Sequence, residues 1–170
     1  MATVITETNH SLKNDIANFA AQAIQFFRHY AAVIIIVFGI LIRLPLTFLP
    51  LTYSATDTWR QADTASIAHN FVYGGNILYP QIDWGGTGPG YVEAEFQLFP
   101  FIVSKLYNWF GEQVGLGRLV SLVFTTGAFI FFYLLARRIV APKAALWALF
   151  FLVVSPLSIR YGVAFMPEAT

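Results

Sequence analysis

Three stretches of this chain are almost entirely apolar, and more polar segments separate them. The stretches cover about residues 31–51, 116–136 and 143–160. An α-helix rises about 1.5 Å per residue, so about 20 apolar residues reach across the hydrocarbon core of a bilayer. The pattern therefore predicts an all-α membrane protein with three transmembrane helices.

A short basic turn with Arg137, Arg138 and Lys143 separates the second and third stretches. Short loops rich in lysine and arginine stay in the cytoplasm, so we predict that this turn is cytoplasmic. Counting helices from it makes residues 1–29 a cytoplasmic tail and residues 52–115 a large extracytoplasmic loop. A cleaved signal peptide is the alternative for the first stretch, but the region before it is too long and no A-x-A-like site follows.

The predicted outer loop contains two helical segments on either side of a part rich in glycine and proline. Residues 57–73 contain no glycine or proline, and their apolar residues form no single stripe, which predicts a helix packed on several sides. Residues 93–110 show apolar residues at helical spacing, and Pro100 marks either a kink or the true start of the helix. Such an amphipathic pattern is typical of a juxtamembrane helix at the membrane interface.

Composition supports a membrane protein and excludes several kinds of site. The chain is 57% hydrophobic and 11% charged, which is too much apolar surface for one soluble core of this size. The net charge of the chain is only +1, which argues against a nucleic-acid-binding protein, because such proteins need a strongly basic face. The absence of cysteine excludes disulfides, thiolate metal sites and a cysteine nucleophile within these residues.

The acidic residues of the outer loop are the first candidates for chemistry. Asp57 follows the first apolar stretch and begins a predicted helix, where it can cap the helix or act as a base or metal ligand. Glu93 and Glu95 are two residues apart, so they share one face of a strand but point apart on a helix. A solvated helix start is the alternative explanation for this glutamate pair.

Two arginines are further candidates. Arg60 can form a salt bridge with Asp57 or Asp63, or bind a phosphate. Arg43 lies near the outer end of the first apolar stretch. We expect its side chain to extend to the membrane interface, and contact with a lipid phosphate is the alternative.

Three segments of the chain resemble the bacterial membrane glycosyltransferases of the C-type superfamily, which include protein mannosyltransferase relatives and aminoarabinose transferases. The segments are TDTWRQADTASIAHNF (residues 56–71), GYVEAEFQLFPFIVSKLYNWFG with GRLVSLVF (90–111 and 117–124), and SPLSIRYGVAFMPE (155–168). The resemblance implies a larger multi-span fold with two juxtamembrane helices in its first outer loop. It also implies transfer of a sugar from a polyprenyl-phosphate donor on the outer face of the cell membrane.

The resemblance assigns roles to residues of the outer loop. Asp57 corresponds to the catalytic aspartate of the family, and Glu93 corresponds to a second catalytic acid, with Glu95 as a nearby rival. Some members use a divalent metal, for which Glu93 is the candidate ligand. The residues predicted to bind substrate are Arg43, Arg60, Asp63 and Glu95. The predicted partners are the lipid-linked sugar donor and membrane lipid.

Family members are much longer, so we expect residues 1–170 to be the N-terminal part of a longer enzyme and to be inactive alone. Two other functions stay open. A transporter or flippase segment would favour ionisable residues inside the spans, where only Arg43 qualifies. A non-catalytic subunit of envelope assembly would consume no lipid-linked sugar.

Overall fold

The computed structural model of the protein describes residues 30–51, 58–83, 86–92 and 96–167. Within these ranges the fold is helical, and two isolated antiparallel bridges in the segment between α2 and α3 are the only β-type pairing. The helices are α1 (30–43), which continues as a 3₁₀ helix (Leu44–Phe48), α2 (Thr58–Val72), α3 (Leu98–Phe110), α4 (Val114–Ile139), α5 (Pro142–Val154) and α6 (Pro156–Tyr161).

Two helices are long and apolar enough to cross a membrane. They are Tyr30–Phe48 with 19 residues and α4 with 26 residues. The predicted third span, residues 143–160, is not one continuous helix, because α5 ends after 13 residues and α6 begins anew. The physical reason is Pro156, which lacks an amide hydrogen and disfavours a helical conformation at the residue before it. Ser155 accordingly has extended backbone angles.

The two loop helices are close to their predicted positions. The helix predicted over residues 57–73 is α2, and the helix predicted over 93–110 is α3, which starts later, at Leu98. Pro100 lies in the first turn of α3, where its missing amide hydrogen costs no helical bond. Pro100 therefore marks the start of the helix and not a kink within it.

The long helices run antiparallel to their neighbours. The guanidinium of Arg43 in α1 lies 4.9 Å from the ring centre of Phe129 in α4. Beyond it, the backbone of Thr47 lies beside Gly115 at the start of α4. A cluster of Phe129, Leu149 and Val153 joins α4 to α5, with residues of α1 packed against it. The chain between α1 and α4 therefore begins and ends at one end of these helices, and the basic turn between α4 and α5 lies at the opposite end.

Helices α2 and α3 pack on each other and on the beginning of α4. Their shared core consists of Ala68, Phe99, Val103, Tyr107, Val120 and Phe165. The buried residues of α2 lie mainly at positions 61, 64, 68 and 71, which is one helical face. The other sides of α2 are partly covered as well, since only Trp59 and Ala62 are exposed, in agreement with the prediction that this helix is packed on several sides. Gln61 and Thr64 occupy half of the buried face of α2, so the spacing of apolar residues alone did not reveal which face is buried.

Residues 162–166 after α6 are irregular, yet all five are buried, with Ala164 and Gly162 bonded to α4. The hydroxyl of Ser121 donates to the carbonyl of Ala164 at 2.6 Å, and the hydroxyl of Thr125 donates to that of Gly162 at 2.9 Å. Buried carbonyls without a partner are costly, so these bonds make a non-helical backbone acceptable inside the fold. We call residues 162–166 the inserted segment.

The contact between Gly117 and the inserted segment gives a direct test of this packing. A methyl group at Gly117 would overlap the ring of Phe165, whereas a methyl group at Gly127 on the same helix would meet nothing within 4 Å. We expect Gly117→Ala to destabilise the fold by about 1–3 kcal/mol through overpacking. The control, Gly127→Ala, should be neutral or stabilise by up to about 1 kcal/mol through helix propensity. Thermal unfolding in detergent measures both, and equal melting temperatures would contradict this packing.

Candidate functional site

A cavity of about 550 Å³ opens between α2, α3 and the segment that connects them. Both apolar and polar side chains line it, as is common for sites that bind organic ligands. Helix α2 contributes Trp59, Arg60, Asp63, Thr64 and Ile67. The other walls are formed by Ile82, Val92, Phe96, Gln97, Pro100 and Pro167.

Two of the predicted substrate-binding residues, Arg60 and Asp63, both line this cavity. They are three residues apart on α2, and this spacing places both side chains on one face of the helix. Thr64 was not predicted, although it lines the same cavity and donates its hydroxyl to the Arg60 carbonyl at 2.9 Å. Gln97, at the start of α3, is a second polar lining residue that sequence reasoning missed.

The predicted catalytic residues Asp57 and Glu93, and the predicted substrate ligand Glu95, lie outside the described residues. Their assignments therefore stay predictions. Their described neighbours in the sequence do line the cavity, since Val92 and Phe96 flank residues 93–95.

The segment between α2 and α3 is fastened to α2 by side-chain hydrogen bonds. Ser66 accepts from the backbone amide of Asp83 at 2.7 Å, and the amide group of Asn70 donates to the carboxylate of Asp83 at 3.3 Å. A short antiparallel pairing then joins residues 80–82 to residues 90–92. These contacts place one wall of the cavity opposite α2.

A buried arginine joins the base of this region to the long helices. Arg118 donates to the carbonyl of Leu46 at 2.9 Å, to that of Pro50 at 3.1 Å and to the side-chain oxygen of Gln61 at 3.3 Å. The same Gln61 oxygen accepts the backbone amide of Phe165 at 3.1 Å. The sequence assigned no role to Arg118 or to Gln61, although Gln61 belongs to a polar and aromatic cluster with Trp59 and Arg60. A charged residue in the first turns of an otherwise apolar span was the available signal.

Arg43 has a different environment from the one predicted. Its side chain is fully buried, so the expectation that it extends to the membrane interface is wrong. The guanidinium donates to the carbonyl of Val153 at 2.8 Å, to the hydroxyl of Ser158 at 2.9 Å and to the carbonyl of Gly39 at 3.0 Å. The helix break at Ser155 explains the first bond, because carbonyls at the end of α5 lack helical partners. Arg43 does not line the cavity.

A metal site was the remaining prediction for this region. Among the residues that the structure describes, no three His, Asp or Glu side chains come close enough together to hold a metal ion. Glu93, the candidate ligand, is not among those residues. The described walls of the cavity therefore do not by themselves provide a metal-binding set.

Comparison with known proteins does not assign a family to the chain. It matches no family model, and no curated protein or solved structure matches it at a significant level. The resemblance to C-type glycosyltransferases therefore rests on the three sequence segments alone.

The environment of Arg43 predicts a structural effect of substitution. A lysine keeps the charge, but its single ammonium cannot reach the carbonyls of Gly39 and Val153 and the Ser158 hydroxyl together. We expect Arg43→Lys to cost at least about 1.5 kcal/mol, the low end for a hydrogen bond to a charged group. Arg138→Lys, an exposed change in the last turn of α4, is the control and should be neutral.

Thermal unfolding of the two variants in detergent checks this prediction. If Arg43→Lys melts like the control while binding of a lipid-linked sugar is lost, Arg43 acts on substrate instead of on the fold.

Proposed function

We propose that this chain is the N-terminal part of a membrane glycosyltransferase. The enzyme would move a sugar from a polyprenyl-phosphate donor to a protein, lipid or glycan on the extracytoplasmic face of the cell membrane. The observation that carries the proposal is the cavity of about 550 Å³ that Arg60 and Asp63 line together. Both residues are predicted from the sequence to bind substrate, and the cavity walls also include neighbours of the predicted acids.

The exposure of the two long apolar helices supports a membrane location. In their most apolar windows, only 17% and 28% of the residues are buried, whereas the core helix of a soluble protein is mostly buried. Tyr30–Phe48 also has the position of a signal sequence, but Arg43 fastens it to α5 and α6 through hydrogen bonds. An interior contact of this kind favours a retained membrane helix.

The arrangement of the helices supports three crossings. We propose that α5 and α6 together form a third, interrupted span, since the 13 residues of α5 reach only about 20 Å. The region from α2 to α3 would then lie outside, and the turn with Arg137 would lie in the cytoplasm. The inserted segment fits this topology, because irregular backbone within a membrane protein must be buried in the protein or line a water-filled cavity.

The exposed side of α3 supports a position at the membrane surface. Phe99, Val103 and Tyr107 of this helix face the core, while Trp109 and Phe110 are exposed. Exposed aromatic residues are typical of the interface between lipid and water. The cavity beside α3 would then lie at the depth where the phosphate of a lipid-linked sugar is found.

The proposed reaction is a single displacement at the anomeric carbon. An acceptor hydroxyl or amine forms the new bond to that carbon while the bond to the phosphate oxygen breaks, with inversion of configuration. Asp57 takes the proton of the acceptor, and the electron pair of the broken bond leaves with polyprenyl phosphate. Arg60 is the residue of the cavity best suited to the leaving phosphate, because a guanidinium pairs well with phosphate oxygens.

The role of Asp57 is tested in the full-length protein by Asp57→Asn, which keeps the shape of the side chain and removes the base. General-base catalysis is worth about 10²–10⁴-fold, so we expect turnover to fall by that factor while expression and donor binding remain. Asp63→Asn should have a milder effect on turnover. Release of polyprenyl phosphate from a purified donor, followed by mass spectrometry, measures both.

Two results would contradict this assignment. Near-normal turnover of Asp57→Asn, together with loss of turnover in Asp63→Asn or Glu95→Gln, would identify another carboxylate as the base. Loss of the Asp57→Asn protein itself from the membrane would show that Asp57 caps a helix and supports folding.

A further inference from the structure

The side-chain oxygen of Gln61 connects three parts of the chain. Gln61 is buried in α2, and its oxygen accepts from Arg118 of α4 at 3.3 Å and from the amide of Phe165 in the inserted segment at 3.1 Å. A carbonyl oxygen has two acceptor positions, and these two donors account for both. Both hydrogen bonds therefore need an acceptor atom at the end of the side chain at position 61.

Both donors are themselves held in place. Arg118 also donates to the carbonyls of Leu46 and Pro50, which end the first helix. Phe165 is fully buried, and its ring packs at a right angle to that of Phe99 with 5.6 Å between the ring centres. The two donors that bond to Gln61 are therefore held in place by contacts of their own.

The buried side chains in the first half of α2 are polar. The buried apolar residues of this helix are Ile67, Ala68 and Phe71, all in its second half. In the first half the buried residues are Gln61 and Thr64, and Thr64 bonds only within the helix, to the Arg60 carbonyl. Of the two buried side chains in the first half, Gln61 is therefore the one that bonds to other parts of the chain.

That half of α2 carries the polar wall of the cavity. Arg60 precedes Gln61 directly, and Asp63 follows it by two residues. Successive helical residues are turned by about 100°, so fixing Gln61 inward fixes the direction of both neighbours. Pro167, two residues after Phe165, lines the same cavity. The contacts of Gln61 thus set two walls of the cavity relative to each other.

We propose that Gln61 is a positioning residue, which holds the start of α2 and the inserted segment in the arrangement that forms the cavity. Its expected effect on turnover rests on the proposed glycosyltransferase function, whereas its effect on the position of α2 does not. Gln61 would act through Arg60 and Asp63 and would not touch the substrate.

The first arm of the test measures position in the full-length protein in lipid nanodiscs. Spin labels at Ala62 and Val123, both exposed, report the distance between α2 and α4 by pulsed electron resonance. Gln61→Leu removes the acceptor at similar volume and should shift or broaden the distance distribution. Gln61→Glu keeps two acceptor oxygens for the same donors and should preserve a narrow distribution.

Two further variants serve as the control and the replacement in the distance measurement. Gln113→Leu is the matched control, because Gln113 is exposed at the start of α4 and its side chain makes no capping bond. It should leave the distance unchanged. If Gln61→Leu fails to accumulate, Gln61→Asn replaces it, since a side chain one methylene shorter cannot reach both donors. A distribution unchanged from wild type in the Gln61→Leu or Gln61→Asn protein would overturn the inference.

The second arm measures turnover of polyprenyl-phosphate sugars by the same proteins. Displacement of groups by about 1 Å can cost up to about 100-fold in rate, so Gln61→Leu should lower kcat by about 10- to 100-fold, and Gln61→Glu should restore most of it. Equal loss in Gln61→Leu and Gln61→Glu, with the distance preserved only in the latter, would overturn the positioning role.

Failure of the proposed function has a different signature. If wild type turns over no donor, while Gln61→Leu still moves α2 and Gln61→Glu does not, the glycosyltransferase proposal fails and the structural role of Gln61 stands.

Discussion

The buried guanidinium of Arg118 joins the helical region around the cavity to the long helices, beside the apolar core that α2, α3 and α4 share. Burying such a charge is costly unless it is hydrogen-bonded, and the two terminal nitrogens of Arg118 donate to two backbone carbonyls and one amide oxygen, while its buried Nε has no partner among the described residues. The carbonyls belong to the end of the first helix, and the amide oxygen belongs to α2. The start of α4, the end of the first helix and the first half of α2 therefore share one point of attachment.

Arg43 is a second buried arginine that donates to backbone carbonyls, further along the same helices. In both cases the guanidinium donates to backbone carbonyls at or near the end of a helix, those of Leu46 and Pro50 for Arg118 and that of Val153 for Arg43. Neither arginine meets a carboxylate in the part of the chain that the structure describes. Helix interruptions next to proline thus provide acceptors in an apolar interior, and the arginines join elements that apolar contacts alone would hold loosely.

The helices could be predicted from the sequence because apolar runs and helical spacing are local signals, and α2 and α4 lie close to their predicted bounds. The cavity itself was not predicted, although two of its lining residues, Arg60 and Asp63, were among the predicted substrate ligands. The attachment at Gln61 could not be predicted, because its partners lie 57 and 104 residues away. The predicted direction of the Arg43 side chain was wrong for a similar reason, since its acceptor, the Val153 carbonyl, lies 110 residues away, next to a helix break.

In the proposed topology, the cavity and the basic turn lie on opposite sides of a membrane. Single cysteines at Thr87, in the segment between α2 and α3, and at Ala141, in the basic turn, test this in a cysteine-free background, since both positions are exposed. With an impermeant maleimide, Thr87→Cys should be labelled in intact cells and Ala141→Cys only after permeabilisation. Labelling of Ala141→Cys but not Thr87→Cys in intact cells would contradict the account and place the cavity in the cytoplasm.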